Sequence, residues 1–470
     1  MSEKIETDVL VVGGGPGGYV AAIRAGQLGL KTTLVEADRL GGTCLIRGCI
    51  PSKALIHVAA KFDELTHHVG AGKLGIRLPQ APEFDLGQAV DWKETIVDKL
   101  NTGVAALLKR AKVRVVLGKA VFSDAKNCMA STASGDVAIS AKHVILATGS
   151  TVATLPTIPY GEHVWSSTEA LAQRDVPKRL AVIGAGYIGM ELGMAYARMG
   201  SQVVFVEALD RVLTLFDRAL TKPVESWLKQ RKIDVHLNTR AQALVDDGHG
   251  RALEVKSADG RLQRLPCDKV LIAVGRKPAT QGMGLERMAV DMNGPFVKVD
   301  AQCRTSMRGV FAIGDLVGEP MLAHKASAQG EMVAEIIAGH RRAFAPVAIP
   351  AVCFTEPELV GVGLTPDEAK AQGIDVIVGQ FPFAANGRSL AMQAGSDGGF
   401  VRVTARADNH LVLGIHAVGA HVSELSGEYA LALEMGSRLE DLSGTIHAHP
   451  TMTETLPEAA LAALGHAIHA

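Results

Sequence analysis

Two cysteines, Cys44 and Cys49, lie five residues apart in the stretch LGGTCLIRGCIPSKAL at positions 40–55, with Lys53 one turn beyond the second. Such a pair can be a structural staple, half of a metal site, or a redox couple. Zinc needs two further soft ligands at fitting spacing, and no other CxxC or CxH pair exists in the chain. A structural disulfide closing so short a loop constrains the unfolded chain little. A redox couple makes more of the setting. Cys44 follows Gly41-Gly42-Thr43, where a helix start is expected. Unpaired backbone donors and the helix dipole lower a thiol's pKa there, and Arg47, between the two sulfurs, is expected to lower it further. A disulfide beside a flavin can exchange two electrons with it, and a flavin can pass them to a nicotinamide.

A second constellation stands near the C-terminus, HAHPTMTETL at 447–456, where His449 and Glu454 flank a proline turn. A carboxylate can hold an imidazole in one tautomer and raise its pKa, giving a general base near pH 7. Taken alone, the pair also reads as a surface histidine and a helix-starting glutamate. His447 competes for the same role.

These groups need elements to position them. Residues 8–36, DVLVVGGGPGGYVAAIRAGQLGLKTTLVE, read as a buried parallel strand, a GxGxxG turn through Gly13, Gly15 and Gly18 with Pro16 inside it, a helix, and a second strand ending in Glu36. The glycines allow a tight turn and close approach of a pyrophosphate to a helix N-terminus. The carboxylate can accept from a ribose diol. Residues 180–207 repeat the pattern with Gly184, Gly186, Gly189 and Glu207. One GxGxxG is weak evidence, but two in strand–helix context imply two dinucleotides. Glu207 would repel a 2′-phosphate, so the second site is expected to take NAD rather than NADP, with Arg211 nearby as the opposing feature. Ala147-Thr148-Gly149 and Gly314-Asp315 end two further strands at the first site, where Asp315 suits a ribityl or ribose hydroxyl. VLIAVGRKP, at 270–278, ends a comparable strand in the second unit.

The chain has 470 residues, 47% hydrophobic and 21% charged, with net charge −1. Its length predicts two to four domains. The near-neutral balance gives no electrostatic reason to expect nucleic acid or an anionic membrane. No apolar run approaches the roughly 18 residues that cross a bilayer. The N-terminus lacks a signal peptide's basic start and cleavage site, so a cytoplasmic protein is expected. The other four cysteines, Cys128, Cys267, Cys303 and Cys353, are too sparse for a secreted disulfide framework. Residues 350–470 carry no nucleotide motif. Their strands (FVRVTA, LVLGIHAVG) and helices (EYALALEMG, PEAALAALGHAI) suit an α+β interface domain.

The sequence resembles the pyridine nucleotide–disulfide oxidoreductases, and most of all the branch that oxidises dihydrolipoamide. The family pattern GGTCxxxGCIPSK is matched by Gly41, Gly42, Thr43, Cys44, Gly48, Cys49, Ile50, Pro51, Ser52 and Lys53. The catalytic motif HPTxxE falls on His449 and Glu454. The departure is Ile46-Arg47, where asparagine and a small apolar residue are more usual. The likeness runs along nearly the whole chain, and AVCFTEPE and GEMVAEIIAG are similar to the version serving branched-chain 2-oxo acid dehydrogenases.

The resemblance implies an α/β, glutathione reductase-like fold of two Rossmann-like domains and a C-terminal α+β dimerisation domain. Its expected divisions are 1–149 (FAD), 150–278 (NAD), 279–347 (return to the FAD domain) and 348–470 (interface). It implies FAD held by Gly13, Gly15, Pro16, Gly18, Glu36, Gly42, Thr43, Cys44, Lys53, Gly118, Ala147, Thr148, Gly149, Gly314, Asp315, Met321, Leu322, Ala323 and His324. NAD would be held by Gly184, Gly186, Tyr187, Ile188, Glu207, Ala241, Val274, Gly275 and Arg276. It further implies an ion pair between Lys53 and Glu191 at the flavin, with Glu191 on the first turn of its helix. Tyr187 would stack over the flavin and gate NAD. In a homodimer, His449 of one subunit would face the cysteines of the other. The reaction implied is oxidation of dihydrolipoamide through the disulfide and FAD, with NAD as acceptor. No lipoyl module is expected ahead of the first strand. The lipoyl group would therefore come from the acyltransferase of a 2-oxo acid dehydrogenase complex or from a glycine-cleavage carrier. Reduction of glutathione is disfavoured by Glu207, and reduction of mercuric ion by the lack of a C-terminal cysteine pair. A nucleotide-binding sensor without turnover is the alternative of another class.

Overall fold

In the computed structural model, which describes residues 3–70, 73–246, 248, 250–395 and 397–469, the first strand is longer than its apolar run. It spans Glu3–Val12, because the twelve-residue strand Gly135–Leu146 pairs with it in parallel from Glu3↔Val137 to Val12↔Leu146. Val9, Leu10 and Val11 are fully buried. Val9 and Val11 pack with Ala21, Ala22 and Ala25, while Leu10 and Val12 pack with Phe122 and Ile139. A strand covered on both faces loses alternation, which is why it reads as a continuous apolar run.

Around this strand the parallel order is Arg114–Leu117, Thr32–Glu36, Glu3–Val12, Gly135–Leu146, Val310–Ala312. Antiparallel strands Asn127–Thr132 and Lys119–Phe122 extend the sheet. The second unit repeats the plan in five parallel strands: Asp234–His236, Gln202–Val206, Arg179–Ile183, Lys269–Ile272 and Val164–Trp165. In both sheets the strand that leads into the glycine turn is central. The order reverses on either side of it, which opens a crevice at its C-terminal end. Ser150–Val152 pairs with Arg276–Pro278 where the chain crosses between the two units.

The last unit is an antiparallel sheet in the order Ala351–Cys353, Glu358–Gly363, Val412–Gly419, Phe400–Arg406, Val376–Pro382. One face, with Val360, Val401, Val403 and Ile415, packs against helices Ser426–Glu434 and Thr455–Ala463. The other, with Leu359, Phe400 and Val418, packs against Phe216, Leu220 and Val224 of the second unit. No described helix is long and apolar enough to cross a membrane.

Candidate active site

The two glycine turns have the same construction. Gly13 and Gly184 take φ +104° and +98°, and a Cβ there would come within 2.3 Å of the Ala147 carbonyl oxygen and 2.5 Å of that of Ala273. Gly18 and Gly189 lie so close to the Gly13 and Gly184 carbonyls that a Cβ would overlap them, at 1.8 and 2.0 Å. These four glycines are explained by the protein itself. Gly186 is not: its φ is −77°, and a Cβ would meet no protein atom within 4 Å. Gly15 is nearly as open, with only the Gly42 Cα at 3.9 Å. The middle glycine of each motif therefore leaves a cradle against the N-termini of helices Pro16–Gln27 and Tyr187–Arg198. Neither first turn holds an acidic side chain, so both remain open to a pyrophosphate. Glu36 accepts from the amides of Gly14 (2.6 Å) and Asp38 (2.8 Å), and Glu207 from those of Ala185 (2.7 Å) and Leu209 (2.9 Å). Each carboxylate is thus fixed at its strand end with lone pairs left for a ribose. These features fit two dinucleotides. Arg211 donates to the Thr214 and Phe216 carbonyls of its own loop, so its guanidinium is already engaged.

A cavity of ≈ 520 Å³ joins the first cradle to the cysteines. Its wall includes Gly13, Gly15, Pro16, Glu36, Gly42, Thr43, Cys44, Cys49, Lys53, Ala147, Thr148, Gly149, Gly314, Asp315, Met321 and Ala323. Tyr187, Ile188, Glu191 and Arg276 reach it from the second unit. Burial raises the Tyr187 phenol to about 12, so it is neutral.

Cys44 stands in the first turn of the short helix Gly42–Arg47, at a helix start as expected, and Cys49 opens the eighteen-residue helix Cys49–Thr66. The expected lowering of Cys44 is corrected: the lowered thiol is Cys49. A hydrogen bond from Cys44, and then the charge of Lys53, lower Cys49 to about 7 against the desolvation it meets in the cavity. The same bond and burial push Cys44 well above the usual thiol range. Arg47 pairs with Asp38 instead of activating either sulfur. Lys53, one turn into the helix of Cys49, donates to Glu191 Oε2 at 2.8 Å and stands 4.4 Å over the Phe354 ring. Glu191 lies just past the first turn of its helix, not on it. It is 4% exposed, and its second oxygen accepts from the Phe354 amide at 3.0 Å. Deleting Lys53 would strand a buried carboxylate, at a cost of about 3–5 kcal/mol.

His449 and Glu454 meet at 2.9 Å through Nδ1 and Oε1. With Nδ1 donating, Nε2 is left as the free base. Burial tends to raise the Glu454 carboxyl, but the Thr451 amide and the His449 ring outweigh it and hold the group below the ordinary carboxylate value. His449 is 79% exposed and does not line the cavity of its own chain. His447 is held inward by Glu428 at 2.7 Å and by the Thr445 carbonyl, so it is not the free base.

Other expected residues lie outside the cavity wall. Gly118 donates its amide to the Glu36 carbonyl at 2.8 Å, and a Cβ there would strike the Ser131 oxygen at 2.6 Å. Leu322 caps the helix Ala323–Ile337, while His324 turns to the Pro350 carbonyl at 2.9 Å. Around the second cradle, Val274 and Gly275 follow strand Lys269–Ile272, and Ala241 lies in strand Thr239–Asp246, which starts where the Thr239 amide donates to Glu207. Sequence reasoning missed Ser150. Its hydroxyl donates to Asp315 at 2.5 Å and accepts from Arg276 Nε at 2.7 Å, tying a second-unit arginine to a first-site carboxylate. Its position directly after Ala147-Thr148-Gly149 was the available signal. Phe354 had none, because it reaches Lys53 and Glu191 from the third unit.

Residues 7–330 match the family model described as pyridine nucleotide-disulphide oxidoreductase, and residues 349–460 match that family's dimerisation domain. The chain is 55% identical over 470 residues to a dihydrolipoyl dehydrogenase of Pseudomonas aeruginosa, covering 100% of both. It is 44% identical to one of Bacillus subtilis, covering 99% of this chain and 98% of that one. Among solved structures, LpdA from Mycobacterium tuberculosis superposes with a TM-score of 0.88 at 26% identity, over 97% of this chain and 99% of that one. The HOCl-induced flavoprotein disulfide reductase RclA from Escherichia coli shares the fold, at a TM-score of 0.85 and 24% identity over 98% and 99%.

Proposed function

The chain belongs to the pyridine nucleotide-disulphide oxidoreductases, enzymes that use FAD and NAD, and from that premise we propose that it oxidises protein-bound dihydrolipoamide to lipoamide while NAD is reduced to NADH. The observation that carries the reading is the placement of Cys44, Cys49 and the Lys53–Glu191 ion pair together in one cavity shared by both nucleotide units.

In the oxidised enzyme Cys44 and Cys49 are a disulfide. Nε2 of His449, from the second copy of a homodimer, takes a proton from one substrate thiol, while Glu454 holds the ring. The substrate thiolate attacks Cys44 Sγ, the Cys44–Cys49 bond breaks, and its electron pair leaves on Cys49 Sγ. The Lys53 ammonium stabilises that thiolate, and Glu191 keeps the lysine in place. The second substrate sulfur attacks the substrate sulfur of the mixed disulfide while its proton passes to the departing Cys44 Sγ. Lipoamide closes, Cys44 leaves as a thiol, and the His449 ring keeps the first proton. FAD and NAD, when bound, supply the two-electron acceptors that return Cys44 and Cys49 to the disulfide. Gly15, Glu36 and Asp315 would hold FAD, and Gly186 and Glu207 NAD. The substrate's carrier is the acyltransferase of a 2-oxo acid dehydrogenase complex or a lipoylated glycine-cleavage carrier.

Replacing Cys49 by Ser tests the role directly. Lipoamide turnover should vanish, while FAD stays bound and NADH oxidation by artificial acceptors continues. Loss of bound FAD on this change would contradict the assignment.

A further inference from the structure

Ten residues beyond Lys53, the helix of Cys49 carries a buried charge, Asp63, which is 5% exposed. Arg231, at the end of helix Arg218–Gln230, grips it with both prongs: Nη1 to Oδ1 and Nη2 to Oδ2, each 2.7 Å. Arg198, the last residue of the helix bearing Glu191, reaches Asp63 Oδ2 through Nε at 3.3 Å. Its Nη1 donates to Glu356 at 2.6 Å. Glu356 lies two residues after Phe354, whose amide holds Glu191 and whose ring lies under Lys53. The same three segments, one from each unit, are therefore fastened twice. One tie is at the redox centre, through Lys53, Glu191 and Phe354. The other, about 15 Å further along the cysteine helix, runs through Asp63, Arg198, Arg231 and Glu356.

The second tie balances two anions against two cations, and a bidentate guanidinium–carboxylate fork fixes orientation as well as distance. Two fastenings on one pair of helices leave no freedom to slide or rotate, whereas one would act as a pivot. We propose that Asp63, clamped by Arg231 and Arg198, is a positioning residue for the redox centre: it sets the register of the cysteine helix against the helix of Glu191, so that Glu191 holds the Lys53 ammonium beside the Cys49 sulfur instead of pulling it away.

Field and geometry act in opposite directions here, which makes the proposal testable. Removing the Asp63 charge adds net positive potential and by itself would ease thiolate formation. Losing the register would let Glu191, on the other helix, pull the Lys53 ammonium off the sulfur and hinder it. The proposal rests on the reading that Cys49 is the thiolate beside FAD. The test is a pH titration of the long-wavelength absorbance that a thiolate beside oxidised flavin gives, in FAD-loaded enzyme reduced to the dithiol, with thermal unfolding followed in parallel. Asp63→Asn should move the midpoint upward by about one pH unit, a tenfold change in thiolate equilibrium, and Asp63→Glu should keep it near the wild-type value. Arg231→Lys, which removes only the fork, should give a smaller upward shift and stands in if Asp63→Asn does not fold. A lower melting temperature with an unmoved or lowered midpoint would overturn the proposal, leaving the cluster a purely structural brace. Absence of the band in wild type would instead overturn the reading of Cys49.

Discussion

At the scale of single residues, the thiol pair works through asymmetry. Cys49 is stabilised as a thiolate by a hydrogen bond and an ammonium, while Cys44 donates that bond and stays protonated. With Cys49 lowered to about 7, its thiolate fraction should fall from about 0.9 at pH 8 to about 0.1 at pH 6. The sign follows from the direction of the shift: a depressed thiol is charged above its midpoint and neutral below it. Lys53→Met should raise the midpoint toward the ordinary thiol value, which titration of the dithiol holoenzyme would reveal. An unchanged midpoint would show that the ammonium contributes nothing. The cysteines, Lys53 and the His449–Glu454 pair were legible in the sequence because their chemistry needs fixed residue types at short spacing. That Arg47 activates neither sulfur was not, because its guanidinium is drawn off by Asp38, a pairing no short spacing reveals.

At the scale of elements, each strand–turn–helix unit places glycines for two distinct reasons. Gly13, Gly18, Gly184 and Gly189 are forced by backbone contacts or by positive φ, whereas Gly186 is open on the protein side. Gly186→Ala should therefore leave the melting temperature nearly unchanged, because its φ suits any residue, yet raise the KM for NAD by an order of magnitude or more by filling the cradle. Gly184→Ala should instead destabilise the fold by at least about 1–3 kcal/mol, through strain and overlap with the Ala273 carbonyl. Equal melting temperatures for the two variants, or an unaltered KM in Gly186→Ala, would contradict this division. Both units were readable from the repeat of apolar strand, glycine turn, helix and terminal glutamate. Strand lengths were not, because Glu3–Val12 owes its first residues to pairing with a strand more than a hundred positions away.

At the scale of the molecule, the proposed centre is assembled from all three units and completed by a second copy. Phe354 and Glu356 come from the third unit, Glu191 and Arg198 from the second, and Cys49, Lys53 and Asp63 from the first. Such convergence leaves no local pattern, which is why Phe354 and the Asp63 cluster escaped a reading by motif. The exposed His449 lies in the segment that matches a dimerisation domain. If each site takes its sulfurs from one chain and its base from the other, Cys49→Ser and His449→Gln chains should complement. A mixture re-associated at random should recover about a quarter of wild-type activity, because half of the dimers then hold one intact site of two. No recovery from well-mixed dimers would mean that sulfurs and base act within one chain.

The most direct measurement is the initial rate of NADH formation from dihydrolipoamide and NAD by FAD-loaded protein, with NADP run beside it. We expect fast turnover with NAD and little with NADP, since Glu207 would face a 2′-phosphate. No turnover with either, from protein that holds its flavin, would contradict the oxidation of dihydrolipoamide proposed for the Cys44–Cys49 centre.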